Sequence, residues 1–166
     1  MKIMNKYLLL LLLLFIPSLL LASGKNKEPY VYKSINEVSL TKAEIISYSS
    51  QFIAQKFVSG KSVIELKDKE LGKIVGNIVL MNKKAKFFHA FKGISGNMTI
   101  SAKKGKFKFE MASIVGTDGK GKKANFGELE GANRYRIEPM TVQILDEFVL
   151  ELKNYLSKAK ASDDDW

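Results

Sequence analysis

Residues 97–111 read "NMTISAKKGKFKFEM". If Lys104 and Gly105 form a two-residue turn, Ala102 pairs with Phe107, Ile100 with Phe109, and Met98 with Met111. The other face then receives Lys103 with Lys106, Ser101 with Lys108, and Thr99 with Glu110. Every apolar residue lies on one side, because strand side chains alternate with a period of two and a one-residue slip would reverse both faces. The stretch predicts a half-buried antiparallel hairpin whose open face needs a cover.

Upstream, "KDKELGKIVGN" (Lys67 to Asn77) joins two further strand-like segments, "SVIELKD" and "KIVGNIVLM", both rich in branched residues. A phosphate-binding loop would lead its glycines into a helix; here they lead into a strand. A three-residue loop of Glu70, Leu71 and left-handed Gly72 sets Ile64 against Ile78, Leu66 against Gly76, and Glu65 against Asn77.

Two long amphipathic helices supply the cover. The first is expected over about Thr41 to Val58: Thr41 and Glu44 have capping-box spacing, Leu40 and Ile45 suit a hydrophobic staple, and Ile45, Ile46, Phe52, Ile53 and Phe57 recur on one face. The second follows Pro139, where Val142, Leu145, Val149, Leu152 and Leu156 repeat at three-four spacing, widened by Ile144, Phe148 and Tyr155. Its acids come early and its lysines late, which complements the helix dipole. "EPYVYKSINEV" (Glu28 to Val38) is an entry strand, "AKFFHAF" a strand or irregular edge, and "NRYRIEP" a candidate last strand. Residues 116–131, with five glycines, read as a long flexible loop, and "SDDDW" at 162–166 lies in a disordered acidic tail expected over 161–166. These elements form one α+β domain over 25–160, an antiparallel sheet wrapped around the C-terminal helix.

The first 24 residues have the layout of a signal peptide: Lys2 and Lys6, an apolar run from Tyr7, Pro17, then Ala22, Ser23 and Gly24 before Lys25. A retained anchor is the rival reading, but an unbroken span needs about 20 apolar residues. The chain has no cysteine, which excludes both a lipid-bearing cysteine and disulfides. Loss of Lys2 and Lys6 would lower the formal net charge from +10 to +8. That balance suits anionic partners or simply a solvated lysine surface, and the latter is the commoner case.

Motifs with chemistry are sparse. His89 is the single histidine, without a zinc-ligand set or a nucleophile beside it. Glu128 and Glu130 could pair as acids, yet nothing in their surroundings would separate their proton affinities. Asp163 to Asp165 sit in a tail too loose to pre-organise a cation site. "KKGKFKF" interleaves lysines with aromatics as nucleic-acid binders do, but the hairpin register turns Phe107 and Phe109 away from Lys106 and Lys108. Nucleic acid is therefore an unfavoured partner, and no cofactor, metal or catalytic residue is expected.

"TKAEIISYSSQFIAQKF", "KSVIELKDKELGKIVGNIVL" and "ISAKKGKFKFEM", in this order over about residues 40–113, resemble a bacterial domain-of-unknown-function family with a TBP-like fold, the forty-four sixty-eight family. Phe52 stands where that family commonly has tryptophan, and Lys104–Gly105 where it often has an acid–glycine turn. The resemblance implies a β-α-β-β-β-β-α order with helices on one face of a curved antiparallel sheet. It implies no activity.

The expected function is that of an exported, non-enzymatic binding module of the periplasm or envelope, with a protein or small ligand as partner. Such a module predicts an apolar groove between sheet and helix. The alternative is adhesion to anionic lipid or polymer, weakening with salt, and an enzyme would need a pocket with convergent polar groups. Lys103, Lys104, Lys106 and Lys108 are the expected electrostatic contact surface, with Lys120, Lys122 and Lys123 on the loop as further candidates.

Overall fold

The computed structural model describes residues 30–57, 63–81, 92–118, 120–126 and 131–163. The elements run β1 (Tyr32–Glu37), α1 (Lys42–Lys56), β2 (Val63–Asp68), β3 (Lys73–Met81), β4 (Gly93–Lys103), β5 (Lys106–Thr117), β6 (Lys123–Asn125) and α2 (Gly131–Asp163). The architecture is α+β: an antiparallel six-stranded sheet in the order β1-β5-β4-β3-β2, with β6 also on β5, and two helices. The long strand β5 has two partners along one edge, β1 over Lys106–Met111 and β6 over Val115–Thr117.

The β4–β5 hairpin has the register its sequence dictates. Ala102, Ile100 and Met98 face Phe107, Phe109 and Met111, and Gly105 takes φ +80° in the turn. β1 then docks on β5 with Lys33 opposite Glu110 and Glu37 opposite Lys106, a charge-complementary ladder on the solvent side.

The β2–β3 hairpin departs from expectation. Its loop holds four residues, Lys69 to Gly72, closed by Asp68 opposite Lys73. A bulge between Ile64 and Leu66 then sets Ile64 against Gly76 and Leu66 against Val75, where Leu66 is exposed. Gly72 does adopt the left-handed conformation, φ +66°. The extra loop residue is stabilised by the Asp68 carboxylate, which accepts the Leu71 N–H at 2.8 Å. Counting glycines could not show this side-chain cap.

Helix α1 starts as expected. Thr41 caps it, and both arms of the capping box form: the Glu44 N–H donates to the threonine hydroxyl at 3.3 Å, and the Thr41 N–H to the Glu44 carboxylate at 2.6 Å. Ile45, Ile46, Phe52 and Ile53 are buried against the sheet's inner face.

Helix α2 corrects the sequence reading at both ends. "NRYRIEP" is not a strand; it forms the helix's first turns, and Pro139 lies inside the helix rather than before it. Proline removes one backbone donor, and Pro139 is exposed, so the helix carries it on its solvent face. The helix also runs to Asp163 and takes in Ala161 and Ser162 from the expected tail. Within 116–131, β5 continues to Thr117 and β6 adds a short strand, so that stretch is not one loop. "AKFFHAF" with His89, Glu128, Glu130, Asp164, Asp165 and the N-terminal 29 residues lie outside the described residues.

The core lies between the inner sheet face and both helices. Phe148 of α2 is its junction, with its ring 5.3 Å from that of Phe109 on β5, 5.6 Å from Phe52 on α1 and 6.1 Å from Phe57 at its C-cap. One side chain thus ties three elements together, in the tilted geometries aromatic pairs favour.

Candidate functional site

The lysines singled out in the sequence fall into two groups that do not meet. Lys103, Lys104 and Lys106 are exposed at the β4–β5 turn. Lys120, Lys122 and Lys123 are exposed at the β5–β6 turn, at the other end of β5. A strand rises about 3.3 Å per residue, so the span from Lys106 to Thr117 separates the groups by roughly 36 Å. They cannot serve one compact ligand.

Lys108 differs from its neighbours. Its ammonium lies 2.7 Å from the Glu110 carboxylate, with Lys33 on the other side at 3.6 Å. The Lys108 hydrogen bond, opposed by desolvation and aided by Lys33, holds the Glu110 carboxyl below the usual carboxylate range. Lys108 is engaged within the sheet face, while the other three at this turn remain exposed.

The β5–β6 turn is ordered around Asp118, whose carboxylate accepts the N–H groups of Lys120 and Lys122, each at 2.8 Å. The Asp118 N–H also donates to the Lys122 carbonyl at 2.9 Å. The aspartate–glycine pair at 118–119 is a hairpin signal that would have revealed this turn.

A groove opens where the sheet's inner edge meets both helices. It measures about 340 Å³ and lies between the end of β3 (Val79, Leu80, Met81), the end of α1 (Lys56, Phe57) and α2 (Ile144, Glu147, Phe148, Glu151). β2 pairs with β3 only as far as Asn77, so among the described residues the last four residues of β3 have no strand on that side. The wall is mostly apolar, and at one point Lys56 forms an ion pair with Glu151. The Lys56 ammonium also lies 5.6 Å and 5.7 Å from the Phe52 and Phe148 ring centroids. Two flanking rings and one carboxylate fix that cation over an apolar floor. Glu147 accepts from the Gln143 amide at 3.0 Å.

A larger depression, about 550 Å³, lies along α2 at Glu138, Pro139, Val142, Gln143, Asp146, Glu147 and Leu150. Among the described residues, those that line it all come from α2, whereas the groove draws on a strand and both helices.

The sequence marked Phe57, Ile144 and Phe148 as core, and they pack against it. It did not bring Lys56 and Glu151 together, because they are 95 residues apart on separate helices. No local spacing encodes that pair.

The fold recurs in solved structures. A DUF4468 family protein from Bacteroides ovatus superposes with TM-score 0.59 at 14% identity, covering 77% of this chain and 86% of its own. A TBP-like protein from Parabacteroides distasonis gives TM-score 0.60 at 15% identity, covering 81% of this chain and 96% of its own. At such identities the likeness concerns the fold. No curated protein matches the chain. Residues 32–116, just over half of the sequence, match the family described as a domain of unknown function (DUF4468) with TBP-like fold. From Tyr32 through the β4–β5 hairpin to Gly116, sequence and topology agree, and the chain belongs to the DUF4468 family.

Proposed function

We propose that the chain is an exported, non-enzymatic binding module of the bacterial periplasm or envelope, and that it seats a small amphiphilic ligand in the groove beside β3. The groove itself is the observation that carries this reading. Its volume, about 340 Å³, lies within the range of small-molecule sites, and its apolar wall with the Lys56–Glu151 ion pair suits a ligand with an apolar body and a polar head. Export is supported by the charged start, apolar run and small-residue boundary of residues 1–24.

Titration with the amphiphilic dye anilinonaphthalene sulfonate tests the groove. Saturable one-to-one binding is expected. Met81, 62% exposed at the groove's edge, can be changed at little structural cost; Met81→Glu should weaken the dye about tenfold by placing a charge on the apolar wall. Unsaturable binding, or equal affinity in Met81→Glu, would remove the groove as the ligand seat. N-terminal sequencing of the protein from a periplasmic extract tests export, with a new terminus near Lys25 expected.

A further inference from the structure

One end of the fold gathers three chain segments that are distant in sequence. The Ala102 N–H donates to the Gly72 carbonyl at 2.7 Å, joining the β4–β5 and β2–β3 hairpins near their turns. The Gly105 N–H donates to the Leu40 carbonyl at 2.9 Å, and the Val38 N–H to the Gly105 carbonyl at 3.0 Å, adding the β1–α1 connection. The Lys42 ammonium, at the start of α1, donates to the Glu70 carbonyl. Two turns and a helix N-terminus therefore form one pole.

This pole is basic, with an apolar tip. Lys69, Lys73, Lys103, Lys104 and Lys106 are all exposed there. Lys103 and Lys106 are direct cross-strand partners, a like-charge pairing that disfavours the hairpin in isolation. Two of the nearby acids are engaged in caps: Asp68 with the Leu71 N–H at 2.8 Å, Glu44 with the Thr41 N–H at 2.6 Å. Glu37 and Glu70 are the exposed counter-charges. Leu71, at the β2–β3 turn between Lys69 and Lys73, is 72% exposed, the most exposed of the large hydrophobic residues described.

We propose that this pole is a membrane-docking surface for an anionic lipid bilayer, with Leu71 inserting among the acyl chains while the surrounding lysines meet the headgroups. An exposed leucine flanked by Lys69 and Lys73, on a pole that also carries Lys103, Lys104 and Lys106, is matched by an interface that is apolar below and anionic above. A soluble polyanion would satisfy the lysines and leave the leucine without a partner. The fold also separates this surface from the groove. β3 runs from Lys73 at the pole to Met81 at the groove, nine residues spanning about 26 Å, so a docked protein keeps its groove clear of the bilayer. The proposal does not depend on what the groove binds.

Vesicle sedimentation tests it, using the chain from Lys25 onward so that the apolar N-terminal run is absent. The described core extends from Tyr32 to Leu156, so this form retains it. Vesicles of equal parts phosphatidylglycerol and phosphatidylcholine should pellet the protein at low salt, and phosphatidylcholine alone should not. Each headgroup-contacting lysine is worth roughly fivefold in partitioning, so Lys103→Gln with Lys106→Gln should weaken binding at least tenfold. Leu71→Ser should weaken it about fivefold or more, with polyphosphate binding unchanged. The Leu71 side chain is exposed and only its backbone N–H caps the turn, so the melting temperature of Leu71→Ser should match wild type. No pelleting with anionic vesicles overturns the proposal. So does equal pelleting of Leu71→Ser and wild type, which would leave a polyanion-binding surface instead.

Discussion

The Tyr32 hydroxyl donates to the Asp146 carboxylate at 2.5 Å, joining the first strand to the C-terminal helix across 114 residues of sequence. Tyr32 is 9% exposed, and burial, reinforced by the Asp146 carboxylate, raises its pKa far above the ordinary phenol value. The bond fixes where β1 sits under α2. Both faces of that contact come from elements outside the hairpins.

Tyr32→Phe should cost about 1.5 kcal/mol, typical of a hydrogen bond to a charged partner. The raised pKa gives the sign of the pH dependence. Folding favours the neutral phenol, so this contribution is complete below pH 10 and is lost as pH rises through the folded-state value. Urea melts of wild type and Tyr32→Phe should therefore differ by a constant amount from pH 7 to 9 and converge above pH 10. A difference that grows with alkalinity would contradict the assignment.

Gly72→Ala tests the β2–β3 turn. At φ +66° any Cβ is strained, and here it would lie 2.7 Å from the Ala102 carbonyl oxygen and 2.8 Å from Lys42 Cδ. The lysine can move; the backbone oxygen is held by the sheet. A cost of about 2–4 kcal/mol is expected, a fall of roughly 10 °C in Tm by calorimetry. Unchanged stability would mean that the turn relaxes in a way the sheet does not suggest.

Ser113 is the only non-glycine residue with positive φ among those described, at +52°. It lies in a β5 bulge opposite Gly96, where the pairing shifts from Ser95–Val115 to Asn97–Ala112. Ser113→Gly should leave stability unchanged or raise it by up to about 1 kcal/mol, whereas Ser113→Val should lower it by about 1–2 kcal/mol. Chemical denaturation of the pair is decisive, since valine would favour an ordinary strand and disfavour a left-handed bulge.

Phe148→Ala should cost about 3–5 kcal/mol by removing the ring that meets Phe52, Phe57 and Phe109. Phe148→Leu retains most of the volume and should cost about 1–2 kcal/mol. Because Phe148 also lines the groove, Phe148→Leu should alter dye affinity even where the protein stays folded. Equal dye binding in wild type and Phe148→Leu would place the dye elsewhere.

The β4–β5 hairpin was legible from the chain alone, because alternation of Met98, Ile100 and Ala102 with polar neighbours allows one register. So was the start of α1, through Thr41 and Glu44, whose bonds are local. Tertiary structure decided what local rules leave open. The bulge after Ile64 and the burial of Gly76 opposite it depend on how β3 packs between β4 and β2. Pro139 inside α2 overrides a rule about helix starts, because the rest of the helix is held by Leu145, Phe148 and Leu152 in the core. The ion pair of Lys56 with Glu151 and the pole around Leu71 arise only when distant segments meet. Registers and caps follow from neighbours within a few residues, whereas grooves and poles need long-range contacts that no local pattern encodes.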